Sequence, residues 1–217
     1  LQVTATPYSL YLQPSIVEDR VEFLPKRPAF TVLLPKHNDY IGGEFYFNES
    51  ENEDSIAHFI FEEVSVEERE VLKEPDARRL KLEDVFSSNK IVVLRMAAVN
   101  FLVGAIIRRT QQASVGEPQQ KYAFIAHSEI HRNSHGWQLE IIRALITELA
   151  KIAKDSPQSL NTLIQESYDD IKKSVDKIDT LTMPAVDDVI NGIIKSLVEE
   201  HVHHIGSAMV VMAGQIA

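Results

Sequence analysis

The sequence predicts an α+β protein, and three observations carry that expectation. Prolines at Pro7, Pro14, Pro25, Pro28 and Pro35 cut the N-terminal region into short β-favourable runs, a nearly unbroken apolar stretch occupies the middle, and apolar residues recur at helical spacing from Trp137 onward. The expected layout is a β-rich half over 1–86 with short strands in an antiparallel sheet, a buried central element with a strand and loop over 87–136, and a three-helix layer over 137–217. Together these form one composite domain over 1–217.

In the first region, Val3 to Thr6, Ser9 to Gln13 and Phe30 to Leu34 are short runs between prolines, where a helix is hard to fit. Gly42-Gly43 leads into Glu44, Phe45, Tyr46 and Phe47, aromatic enough for a strand. After the polar, acidic turn Asn48 to Asp54, the run Ala57 to Val66 predicts a further strand. Glu67 to Phe86 is charged, with scattered leucines, and predicts a loop with a short helix or edge strand.

The central run Ile91 to Arg109 is apolar on nearly every side. Ser87-Ser88-Asn89 offers helix N-caps before it, and Arg108 and Arg109 suit a helix C-terminus, so a buried helix is expected. Two successive buried strands are the alternative, because periodicity cannot arbitrate a continuous apolar run. Gln111 to Gln120 predicts a loop, and Tyr122 to Ala126 a short buried strand.

Trp137, Ile141, Leu145, Leu149 and Ile152 lie on one helical face, ending near Asp155. Ser156-Pro157 restarts a second helix carrying Leu160, Leu163, Ile164, Tyr168, Ile171, Val175 and Ile178. A third follows Pro184, with Asp187 and Asp188 in its first turn and an apolar stripe through His201 to Ile205. Short connections imply antiparallel neighbours.

Composition narrows the function classes. The formal charge is −10, and Glu49 to Asp76 holds eleven carboxylates against Arg69 and Lys73, leaving the rest of the chain almost neutral. Clustered Lys and Arg are what a phosphate backbone requires, so nucleic acid is disfavoured as a partner. The absence of cysteine removes disulfides, thiolate zinc sites and thiol nucleophiles together. Arg95 and Asn100 interrupt the longest apolar stretch, so no membrane span is expected. No charged n-region followed by an apolar core opens the chain, so no signal peptide is expected either.

Six of the eight histidines fall in two groups. His127, His131 and His135 are spaced four and four, which on a helix would offer adjacent imidazole ligands to zinc or another divalent metal. His201 and His204 extend the stripe of the third helix, and the two groups together make one candidate metal set. Each group also has an ordinary explanation, as polar loop residues and as histidines favoured at a helix C-terminus before Gly206. No cofactor is required by any motif. A ligand-binding alternative places a pocket for a nucleotide or small anion at the strand, loop and helix unit 121–137, with His127, Ser134 and Trp137. Gly136 is the lone glycine there, far from a phosphate cradle.

Beyond His204 no charged residue occurs, and Met209, Val210, Val211 and Met212 would be an adhesive surface in water. Packing on the body, burial in a partner or continuation into further sequence would each cover them. With no Gly-x-Ser-x-Gly, Walker-type or His-Glu-x-x-His motif present, the expected function is a non-enzymatic interaction or assembly module. It is expected to form a homo-oligomer through the C-terminal helices and the uncharged tail, or to bind a protein partner.

Overall fold

Helix α2, Val92–Ser114, is the element around which the larger part of the chain is organised: it packs on α4, Asn161–Val175, and on α5, Val186–Val198. Helix α3, Arg132–Asp155, packs on α5 and on the short α1, Val66–Lys73. The computed structural model describes residues 16–18, 21–23, 30–32, 35, 37, 40–126, 132–199, 201–204 and 209–212. Two compact units divide the chain, Leu1–Ile41 and Gly42–Ala217.

In the first unit, strands β1, Ile16–Glu18, and β2, Val21–Phe23, pair antiparallel with Val17 opposite Glu22. Phe30 to Val32 is not strand, and Phe30 and Val32 are exposed. The expected strands at Val3 to Thr6 and Ser9 to Gln13 lie outside the described residues.

The α+β expectation is overturned. The described chain is mainly helical, and its strands are pieces of three or four residues. Within the expected β-rich half over 1–86, the described residues from Glu44 onward instead form helical turns, Glu44–Asn48, Glu49–Glu51, Ile56–Phe59 and Leu82–Asp84, together with α1. Aromatic composition misled at Phe45 to Phe47, because it favours a strand only where a partner ladder exists. Here the Glu49 N–H bonds back to Glu44 O and the Tyr46 N–H to Gly42 O at 3.1 Å, closing local turns. Ala57 to Val66 fails as a strand because serines at both ends cap helical turns. Ser55 Oγ accepts from the Ala57 N–H at 3.2 Å, and Ser65 Oγ from the Glu68 N–H at 3.1 Å.

The central run is a helix. Its N-terminus is not satisfied by the Ser87-Ser88-Asn89 side chains. The buried carboxylate of Glu68, on α1, accepts from the backbone N–H groups of Val93 at 3.1 Å and Leu94 at 2.8 Å. Negative charge at that end also complements the helix dipole. At the other end α2 runs past Arg109 to Ser114 and closes on Gly116, whose φ is 74°. Gly116 N–H bonds to Ala113 O at 3.1 Å and Glu117 N–H to Gln112 O at 2.9 Å, a Schellman stop that needs a residue tolerant of the left-handed region.

Leu102, Val103 and Ile106 of α2 meet Ile141, Ile142 and Leu145 of α3 and Val189, Ile193 and Leu197 of α5 in one core, all of them almost wholly buried. Each such side chain contributes about 1.5–3 kcal/mol of transfer free energy. Polar ties fix the packing. Ser167 donates to Asn100 Oδ1 at 2.6 Å between α4 and α2, and Tyr168 donates to Pro184 O at 2.7 Å. Helices α3 to α5 occupy the positions that the apolar stripes predict, except at their ends: a 3-10 turn, Pro157–Leu160, precedes α4, which stops at Val175 before Ile178. Helix α3 begins at Arg132, so Ser134, His135 and Gly136 lie inside it and not in a preceding turn. Helix α5 ends at Val198, and Val202–His204 is strand β4.

Candidate functional site

Within the uncharged tail, Met209–Met212 is a strand. β5, Met209–Met212, is the middle of a three-stranded antiparallel sheet between β3, Tyr122–Ile125, and β4. Phe124 pairs with Val210, which pairs in turn with His204. The backbone of Val210, Val211 and Met212 is thus in ladders on both sides, and Met209 pairs with Ile125 of β3. This pairing also explains why the third helix stops early: residues 202–204 gain strand partners that a continued helix would forgo.

The end of α2 holds this sheet in place. Buried Gln112 presents Oε1 to the Gln120 N–H at 3.2 Å and to the Tyr122 hydroxyl at 3.2 Å, and the Phe124 ring lies 5.7 Å from that of Phe101. Beside them Arg109 is buried, with Nε and Nη2 donating to Gln119 Oε1 at 3.3 and 3.0 Å. Burial pushes its guanidinium below the usual arginine value, opposed by the neighbouring Tyr122. Side chains on β3 alternate: Tyr122 and Phe124 are half-buried, while Ala123 and Ile125 are exposed, Ile125 at 69%. Sequence reasoning missed Gln112 and Arg109, because polar residues at the end of an apolar run resemble a solvated terminus.

Of the candidate metal ligands, His127 and His131 lie outside the described residues. His135 is half-buried on α3, and His201 is half-buried between α5 and β4, with Nε2 3.5 Å from Glu199 Oε2. His204 lies in β4, opposite Val210. Because β3 and β4 both run antiparallel to β5, β3 ends at Ile125 on the side of the sheet where β4 ends at His204. Among the described residues no three metal-ligating side chains lie together.

Of the candidate ligand-binding residues, Ser134 is buried in the first turn of α3, and Trp137 is buried with its indole N–H donating to Val71 O at 2.9 Å. Trp137 also forms one wall of an open cleft of about 390 Å³, together with Pro75, Leu80, Leu82, Asp76, Lys81 and Glu83. Asp76 holds this loop closed. Arg78 grips its carboxylate through Nε and Nη2, both at 3.0 Å, and Arg79 Nε lies 3.6 Å away. The hydrogen bonds from the Arg78 side chain, and then from its backbone N–H, hold the Asp76 carboxyl below its usual range.

No helix among the described residues is long and apolar enough to cross a membrane. Comparison with family models, curated proteins and solved structures gives no match.

Proposed function

We propose that the protein is a non-enzymatic interaction or assembly module that self-associates, and that the sheet holding its uncharged tail is the contact surface. The observation that supports this most is the edge position of β3: among the described residues it pairs with β5 alone, and Ile125 projects into solvent. Tyr122-Ala123-Phe124-Ile125 carries no charge, and an uncharged edge strand is a template for a further strand. A second copy supplies the same strand, antiparallel across a two-fold axis, so that the patch is self-complementary. The helices contribute less to the contact than their sequence implies, because α3 and α5 bury their apolar faces within the chain.

Light scattering across a concentration series tests the proposal. The unmodified protein is expected at twice the mass of the chain, and Ile125→Lys at the mass of one chain with an unchanged thermal melt. A monomer at every concentration would retire the reading.

The cleft beside Trp137 favours a second reading, as a ligand-binding domain. Its apolar wall of Pro75, Leu80, Leu82 and Trp137 suits an aromatic small molecule better than a nucleotide, because Asp76 is held by Arg78 and Glu83 lies 3.7 Å from Lys81. A screen of small molecules by thermal shift and Trp137 emission checks it, and no shift with any compound class would remove it.

A further inference from the structure

We propose that residues 44–63 form a docking surface for a lysine- or arginine-rich, partly apolar peptide segment of another protein. This surface is separate from the tail sheet. Three helical turns, Glu44–Asn48, Glu49–Glu51 and Ile56–Phe59, build it, and of the whole segment Ala57 alone is buried. Four large apolar side chains therefore stand in water: Tyr46 at 39%, Phe47 at 64%, Ile60 at 47% and Phe61 at 40% exposure. The rings of Phe47 and Phe61 meet edge to face at 5.9 Å, which joins the two ends of the segment into one patch. Contiguous exposed apolar surface with a polar rim marks an interaction site more often than scattered single residues do.

The rim identifies the partner's chemistry. Glu44, Glu49, Glu51, Glu53, Asp54, Glu62 and Glu63 are all exposed, and the segment contains no lysine or arginine. A second copy would bring like charge against like, as would a phosphate-bearing lipid or nucleic acid. A basic peptide meets one cation beside the segment, Lys177, against the seven carboxylates of the rim. The chain itself shows the recognition mode at one position: Lys177 places its ammonium 5.5 Å from the Phe59 ring centroid and 3.7 Å from Asp54 Oδ1. An aromatic face beside a carboxylate is a favourable seat for a cation. Tyr46, Phe47 and Phe61 with their neighbouring glutamates offer the same pairing to an incoming chain, while Ile60 and the ring edges accept its apolar side chains.

The test uses the full chain and a fluorescein-labelled peptide of alternating lysine and leucine, followed by anisotropy, with a glutamate and leucine peptide as control. The lysine peptide is expected to bind saturably at one per chain, and the acidic peptide not to bind. Phe47→Ser with Phe61→Ser should weaken binding about tenfold or more, as should Glu49→Gln with Glu51→Gln and Glu53→Gln. Each variant is checked for an unchanged melt. Ile125→Lys, on the tail sheet, should bind the peptide as the unmodified chain does, so this surface and self-association fail or succeed separately. Binding that survives the aromatic pair, or that follows net charge alone with either peptide, overturns the proposal. So does a doubling of mass that is lost in the Phe47 and Phe61 variant, which would assign the patch to a second copy.

Discussion

Glu68 caps a helix it does not belong to: its carboxylate receives the Leu94 N–H at 2.8 Å, with Val93 beside it, across twenty-six residues of chain. Glu68→Ala leaves two backbone donors of α2 without this acceptor in a half-dry setting and removes a charge that the helix end favours. A loss of about 2–3 kcal/mol is expected, read from urea denaturation. Glu68→Gln keeps one acceptor oxygen and should lose less. Equal stability of all three proteins would remove Glu68 from this role.

Gly192 and Gly136, both helical, should respond to alanine with opposite signs. A Cβ on Gly192 would stand 2.9 Å from Ile106 Cγ2, a branch fixed close to its own backbone, whereas a Cβ on Gly136 meets nothing within 4 Å. Overpacking at Gly192 outweighs the gain in helix propensity, so Gly192→Ala should cost roughly 1–2 kcal/mol. Gly136→Ala should add about 0.5–1 kcal/mol. Thermal melts of the two variants, compared with the unmodified chain, check the contrast.

Tyr168 should make the protein less stable in alkali. Burial raises its phenol above the ordinary value of about 10, with Lys172 opposing. A group whose folded value is raised contributes stability that is complete below its unfolded value and is lost as pH rises through the folded one. The decline therefore begins near pH 10, and Tyr168→Phe should flatten that part of the curve. The difference in phenolate-band absorbance between the unmodified chain and Tyr168→Phe should show a phenol that ionises above pH 10.

Trp137, the single tryptophan of the chain, reports on the core. Its emission should be blue-shifted and resistant to acrylamide, because the ring is buried and its N–H is held by Val71 O. Trp137→Phe removes that donor and part of the packing between α3 and α1, at a cost of about 2 kcal/mol. An exposed, readily quenched emission would contradict this placement.

The helical half was readable in the sequence because its information is periodic: Trp137, Ile141, Leu145 and Leu149 fall on one face whatever else the chain does. The first region was misread because its information is in single side chains acting at short range. Ser65-Val66-Glu67-Glu68 has the spacing of a capping box. That signal was present, although Glu68 turns its carboxylate to α2 and not back to its own helix. Neither the strand at Val202–His204 nor the central place of Met209–Met212 could be read locally, since a strand of three or four residues is defined by its distant partner. The histidine groups follow the same rule: only ladder register puts the ends of β3 and β4 on one side of the sheet.

That register also bears on the order in which the chain folds. Residues 126–208, 83 in all, separate β3 from β5, and closing so long a loop costs on the order of 4 kcal/mol of chain entropy unless the intervening chain is already folded. Helices α3, α4 and α5 occupy that interval, and the packing of α3 and α4 on α5 shortens the loop that remains to be closed. The sheet is then the last part to assemble and the first to open. Its amides should exchange with solvent earlier than those of α2, and an opened tail strand would expose both faces of an uncharged ladder to any neighbouring chain.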